Sequence, residues 1–165
     1  MGGLAVIVTL FYLATQLRQN TQALRTAGRQ EIVAGYRDAN RLMLTPGVAQ
    51  AYSIGLRRFP AMDFDERHLF LTVFNDQALF FQGVFALHET GQLEDETYHA
   101  YLRWFAAQVA TPGGRAWWDG TARRIYTARM VSAVDARVAE GHLPDLLEME
   151  GFRLKDAQRA SAPCA

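Results

Sequence analysis

Hydrophobic positions are distributed along this chain in two different ways. Residues 4–24 begin as a continuous apolar run that turns polar and basic at residues 16–18, with no helix-breaking residue between the two parts. No residue from position 2 to position 17 is charged. Such a run predicts a membrane-spanning or deeply buried helix. The rest of the chain places apolar residues at helical spacing, which predicts a set of amphipathic helices.

The polar continuation of the first helix is predicted to reach Leu44. Residues 16–44 contain no proline, and their apolar residues recur at roughly helical spacing. Gly28 and Gly35 each weaken a helix by about 1 kcal/mol relative to alanine, but small residues at this spacing also allow a second helix to approach closely. The Thr45-Pro46-Gly47 run predicts the end of the segment, because proline disfavours a helical residue before it.

Downstream, the pattern predicts four more helices. They cover residues 48–56, 64–87, 93–110 and 121–140, separated by breaks at residues 55–60 and at Thr111-Pro112-Gly113-Gly114, with residues 115–120 as a short turn or helix. Asp63 is the predicted N-cap of the 64–87 helix, with Glu66 at the N3 position. The aromatic density of that helix predicts that it is the centre of the core. The predicted class is all-α, a long N-terminal membrane helix that continues into a small antiparallel helical bundle.

Three regions follow from this pattern. Residues 1–18 are the predicted anchor, residues 19–141 the bundle domain, and residues 142–165 a C-terminal tail whose apolar residues can dock on the bundle: Leu143, Leu146, Leu147 and Phe152. Residues 2–17 give about 24 Å of helix, against a hydrocarbon core of about 30 Å. We expect residues 4–17 to contact membrane lipid. The alternative is a soluble helical oligomer that buries this helix between its subunits. A signal peptide is disfavoured, because it would need basic residues before the apolar run and a cleavage site after it.

Charge predicts an orientation and excludes some partners. Arg18, Arg25 and Arg29 follow the apolar run, so the positive-inside rule predicts an outside N-terminus and a cytoplasmic bundle, with a soluble cytoplasmic protein as the alternative. The formal net charge is zero, which gives no electrostatic case for binding nucleic acid. Lys155 is the only lysine among 17 basic residues, which indicates GC-rich codon usage and a bacterial source. Cys164 is the only cysteine, so no intrachain disulfide can form.

Two acid–histidine pairs have the spacing of a di-iron site, Asp65 with His68 and Glu96 with His99. Each pair lies in the first turn of its helix, so antiparallel packing of consecutive helices would separate the pairs by more than about 30 Å. Acids and histidines also flank Gly91, where helix capping and solvation explain them and weak zinc binding is the alternative. The sequence contains no phosphate loop and no nucleophile elbow, and we predict no catalytic residue, metal site or cofactor.

The most distinctive polar–aromatic cluster is formed by Arg115, Trp117, Trp118, Asp119 and Arg123. We expect one tryptophan in the core; the other, if exposed, would contact a partner, because Trp and Arg are enriched at binding hot spots. Packing of both tryptophans in the core is the alternative. The five residues are therefore a candidate contact patch for a protein partner or a second copy. A pocket between residues 64–87 and the tryptophans would instead suit a small-ligand sensor or an enzyme.

A family resemblance is carried by four segments: VTLFYLATQLRQNTQALR, the Leu44-Thr45-Pro46-Gly47 break, GQLEDETYHAYLRWF, and PGGRAWWDG with VDARV. Together they resemble an uncharacterised bacterial family of small proteins of unknown function. The resemblance extends through Val138 and implies an N-terminal membrane helix followed by a small helical domain. It implies no catalytic residue. The sequence thus favours a non-enzymatic, membrane-anchored interaction or scaffolding module that self-associates through its glycine-marked first helix.

Overall fold

The computed structural model describes residues 2–149, with side chains from Val6 onward, and every regular element in that range is helical. The seven α-helices are α1 (Gly2–Arg41), α2 (Val48–Arg58), α3 (Phe64–Glu89), α4 (Asp95–Ala110), α5 (Pro112–Trp117), α6 (Arg123–Ile125) and α7 (Ala128–Glu140). Short 3₁₀ turns at Leu42–Leu44 and Phe59–Ala61, and a π-helical turn at Trp118–Ala122, connect some of them. The predicted all-α class is confirmed.

The ends of the early helices agree with the local sequence signals. α1 ends at Arg41 and the 3₁₀ turn that follows stops just before the Thr45-Pro46-Gly47 run. Gly47 has a φ of +82°, a left-handed conformation that glycine adopts without strain, and it precedes α2. The side chain of Asp63 accepts a hydrogen bond from the Glu66 backbone N–H at 2.8 Å, which confirms the predicted N-cap of α3.

The core is built around α3. Three of its phenylalanines, Phe70, Phe74 and Phe81, are at most 1% exposed and lie on the face turned toward the other helices. Phe70 stacks on Tyr52 of α2, and Phe81 stacks on Phe105 of α4 with ring centroids 4.9 Å apart. The prediction that this aromatic helix forms the centre of the core is confirmed.

Two glycines that lie within the predicted breaks are helical. Gly55 lies inside α2, which runs on to Arg58, and Gly113 lies in the first turn of α5. These helices cross at the two glycines so closely that a Cβ atom on Gly113 would overlap the Gly55 carbonyl. Thr111 caps α5 by accepting a hydrogen bond from the Gly114 backbone N–H at 3.1 Å. The predicted breaks do occur, since α4 ends at Ala110 before an extended Thr111 and α2 ends at Arg58, but the glycines themselves are helical because they permit close packing between helices.

The prediction of one continuous helix over residues 121–140 was wrong. Tyr126 is extended, with φ −89° and ψ 161°, and the side chain of Thr127 caps α7 by accepting a hydrogen bond from the Met130 backbone N–H. The redirected chain stacks the Tyr126 ring on Trp118, at an interplanar angle of 13°. The spacing of apolar residues does not reveal this break, but Thr127, a residue type that commonly caps helices, is a local signal for it.

The beginning of the predicted tail is part of the bundle. Leu146 is 1% exposed, and the Arg57 guanidinium donates a hydrogen bond to the Leu147 carbonyl at 2.8 Å. The expected docking is therefore confirmed for Leu146 and Leu147. The rest of the predicted tail, with Phe152, Lys155 and Cys164, lies outside the described residues.

Candidate functional site

The first half of α1 stands clear of the bundle. Every residue from 6 to 27 is exposed. The large apolar side chains of this half are between 48% and 76% exposed: Val6, Ile7, Val8, Leu10, Phe11, Tyr12, Leu13, Leu17 and Leu24. We refer to residues 6–17 as the apolar segment. A contiguous apolar surface of this kind marks a site that contacts a membrane or another protein.

The second half of α1 packs on α3 through small residues. Its inward positions are Gly28, Ile32, Gly35 and Ala39, at alternating spacings of four and three residues. A Cβ atom on Gly35 would lie 3.1 Å from Cδ2 of the Phe80 side chain, so a larger residue at this position would displace that ring. The predicted close approach at the glycines is confirmed. The approaching helix is α3 of the same chain, so the glycine face is already occupied and does not present itself for self-association.

Positive charge is concentrated directly after the apolar segment. Three of the 17 basic residues and none of the 17 acidic residues lie in the first 30 positions. Arg29 pairs with Glu94 at the start of α4. Arg18 and Arg25 are exposed and make no ion pair or hydrogen bond through their side chains in the described part of the chain. The apolar segment is therefore followed by two uncompensated guanidinium groups on the helix surface.

By length and composition alone, α3 is the one helix between residues 2 and 149 that is apolar enough to cross a membrane. Its most apolar stretch is 44% buried inside the bundle. The core helix of a folded domain meets the same criterion, and the buried phenylalanines of α3 give it that role. Compared with α3, α1 exposes more of its apolar surface but has a shorter apolar run.

The two tryptophans of the predicted contact patch are both buried, at 1% exposure for Trp117 and 0% for Trp118. Both tryptophans therefore pack in the core, as the alternative prediction had it, and neither indole is available to a partner at the surface. Trp117 packs against Phe74 with ring centroids 4.6 Å apart. The N–H of Trp118 donates a hydrogen bond to Asp135 Oδ1 of α7 at 2.9 Å.

The charged members of the patch form a neutral network at the surface above Trp118. Arg123 donates to Asp119 at 3.1 Å and to Asp135 at 2.9 Å, and Arg115 lies within 4.0 Å of both carboxylates. Arg115, Asp119 and Arg123 are 41–52% exposed. The network joins the π-helical turn to α7. Sequence reasoning missed Asp135 because it overlooked Thr127 as an N-cap, and the break before α7 is what brings Asp135 back to Trp118.

The space predicted for a ligand between α3 and the tryptophans is filled by aromatic side chains, as the Phe74–Trp117 contact shows. A shallow groove of about 640 Å³ lies outside it, along α7, lined by Arg123, Tyr126, Ser132 and Asp135 among others. Burial raises the pKa of Tyr126 at its edge. The arginine and the aspartate in this groove already neutralise each other, so it carries no uncompensated charge that would attract an ion.

The acidic corner at Gly91 is held together by pairing between helices. His88 Nε2 lies 2.9 Å from Asp95 Oδ1, and its ring stacks on Tyr98 with centroids 3.9 Å apart. Glu89 pairs with Arg129 of α7, as Glu94 does with Arg29. Between residues 2 and 149 no three His, Cys, Asp or Glu side chains are grouped so that they could hold a metal ion. Ion pairing and solvation account for the corner.

Comparison of the chain with family models, with curated proteins and with solved structures found no match. The resemblance to small bacterial membrane proteins therefore stays a prediction.

Proposed function

We propose that this chain is a single-pass, membrane-anchored interaction module of the bacterial inner membrane, with an outside N-terminus and a cytoplasmic antiparallel helical bundle. The observation that carries the proposal is the apolar segment, which the folded bundle leaves uncovered. Exposed apolar surface is unfavourable in water by about 25 cal/mol per Å². The segment therefore requires a cover that the described part of the chain does not provide.

Lipid suits this surface better than a second copy of the chain does. Apolar residues lie on every side of the segment, from Ile7 and Val8 to Leu13. A paired helix covers one stripe of its partner, whereas lipid surrounds a helix completely. The Thr15 hydroxyl donates to the Phe11 carbonyl at 2.9 Å, so this polar group is satisfied within the helix, as an apolar medium requires.

The orientation follows from the charges. Arg18 and Arg25 lie on the bundle side of the apolar segment, and the positive-inside rule places that side in the cytoplasm. The bundle would then be held at the cytoplasmic surface by a helix that runs without a break from the segment into its docking site on α3.

The bundle is the interaction module of this proposal. Successive aromatic contacts, Phe85 with Tyr98 and Phe74 with Phe105, run in opposite directions along α3 and α4, which supports antiparallel packing. The exposed charges of Arg115, Asp119 and Arg123 provide a polar surface of both signs for a protein partner. No step of catalysis is needed for this role.

Membrane extraction with carbonate tests the anchor. We expect the full-length chain to stay in the membrane pellet. Val8→Arg places a charge in the apolar segment, which costs about 2.5–3.5 kcal/mol at the centre of a spanning helix, and should move the protein to the soluble fraction. Val33→Arg is the matched control, since Val33 is a similarly exposed valine on the same helix beyond the segment, and it should leave the protein in the pellet.

Release of the unsubstituted chain by carbonate would refute the anchor. If the released protein is then a stable oligomer and Val8→Arg dissociates it, the apolar segment is an interface between subunits, as in the alternative of a soluble helical oligomer. The mass of the released protein, measured by light scattering, distinguishes a soluble oligomer from a monomer.

A further inference from the structure

Two arginines on the exposed part of α1 share one face of the helix. Arg18 and Arg25 are seven residues apart, so they lie almost in line, about 10.5 Å apart along the axis. Both are exposed, and neither side chain has a partner in the described part of the chain. Arg29, the next arginine on this face, is held by Glu94 and is not available in the same way.

The helix around these two residues carries no competing acid, and Glu94 of the neighbouring segment, which lines the same groove, is paired with Arg29. The first acidic residue in the sequence is Glu31, so no carboxylate lies on this stretch of helix. Elsewhere, the exposed arginines of the patch are neutralised by Asp119 and Asp135. Arg18 and Arg25 thus form a site of charge +2 with ten guanidinium donors free, a chemistry that suits phosphate oxygens.

Their height fits the phosphate layer of a bilayer. Arg18 is the first charged residue after the apolar segment, so in a spanning helix it would lie at the boundary of the hydrocarbon core. Arg25 would lie about 10.5 Å farther out, on the aqueous side of an interfacial layer that is roughly 5–7 Å thick. The two side chains would therefore approach the phosphate layer from opposite sides.

We propose that Arg18 and Arg25 bind the headgroup of an anionic phospholipid on the cytoplasmic side, an inference that rests on the proposed membrane anchor. The shared chemistry is a phosphate with net negative charge, and the lipid is its source. Zwitterionic lipids carry the same phosphate together with a cation, so they should bind less well to two uncompensated arginines.

Binding of fluorescent lipid analogues to the full-length chain in a neutral detergent tests this site. We expect a phosphatidylglycerol analogue to bind about 30-fold more tightly than a phosphatidylcholine analogue, from about fivefold per arginine. Arg18→Gln with Arg25→Gln should abolish that preference and keep the helix content. Arg37→Gln is the matched control, an exposed arginine about 18 Å farther along the same helix, and should keep the preference.

Three outcomes overturn the headgroup site. Equal preference for the anionic analogue in the unsubstituted and doubly substituted chains refutes the role of these arginines. Displacement of the lipid by inorganic phosphate at constant ionic strength assigns the site to free phosphate. Binding of both analogues with equal affinity, or of neither, removes the headgroup site, and carbonate extraction tests the anchor separately.

Discussion

The two halves of α1 reverse the usual relation between hydrophobicity and burial. The apolar segment carries valine, isoleucine, leucine and phenylalanine, and all of them are exposed. The second half carries Glu31, Arg37 and Asp38, and yet it is the half that docks on α3. The same continuous helix therefore behaves as two different elements.

The difference shows that shape decides which half of the helix packs on the bundle. The docking face consists of Gly28, Gly35 and Ala39 around one large apolar side chain, Ile32, so the backbones approach closely and the large side chains come from α3. The apolar segment has no such face, because bulky residues cover all its sides. A surface of that kind suits a fluid cover such as lipid better than one rigid neighbour.

The contrast between the two halves is tested most strongly by the same substitution, isoleucine to aspartate, made once in each half. Ile7 is 66% exposed and Ile32 is 5% exposed. Ile32→Asp should lower the free energy of unfolding by at least about 3 kcal/mol, because it buries an unpaired charge and removes apolar contacts. Ile7→Asp should leave that free energy within about 0.5 kcal/mol. Urea unfolding of the full-length chain in detergent, followed by helical circular dichroism, measures both.

The membrane phenotypes of the two variants should be reversed. Ile7→Asp should weaken retention in carbonate-washed membranes, and Ile32→Asp should not. Equal loss of bundle stability in both variants would show that the apolar segment packs on the bundle, and the contrast between the halves would be lost.

A smaller effect separates the glycines of the docking face from an open glycine. Leucine at Gly35 would meet Phe80, and overpacking of this kind costs about 1–3 kcal/mol. Gly83 of α3 has open space around its Cα, so Gly83→Leu should stabilise the chain by up to about 1 kcal/mol through helix propensity. The same unfolding assay shows whether each substitution raises or lowers the free energy of unfolding. Stabilisation by both substitutions would mean that Gly35 does not set the helix spacing.

Local signals in the sequence were sufficient for much of the fold. The all-α class, the N-cap at Asp63 and the aromatic core helix depend on neighbouring residues, and each is confirmed. The helical state of Gly55 and Gly113 could not be predicted in this way. It depends on two helices that cross after folding, and a glycine in sequence does not reveal whether it ends a helix or admits a neighbour.

The site was predicted less completely than the fold. The apolar run and the arginines after it are visible in the sequence, because composition alone defines them. The patch at Arg115–Arg123 was described without Asp135, and the tryptophans that drew attention to it are buried. Their burial depends on the break at Tyr126, for which Thr127 is a local capping signal, whereas the stacking of Tyr126 on Trp118 is a tertiary contact that the sequence does not show.

The smallest expected effect concerns a like-charge repulsion where α1 docks on α3. Burial, and then the nearby Asp38 carboxylate, raise the pKa of Asp76 above its ordinary value. Ionised Asp76 therefore disfavours the folded state at neutral pH, and Asp76→Asn should stabilise the chain there. The gain should shrink as the pH falls through the raised pKa of the folded state, and should vanish below the unfolded value of about 3.9. Urea midpoints of both proteins between pH 3 and pH 7 measure the gain in stability. A gain that persists at the acid end would trace the effect to packing or helix propensity.

In an Asp38→Asn background, the gain in stability from Asp76→Asn at pH 7 should be smaller, since one of its two causes has been removed. An undiminished gain would leave burial as the whole explanation.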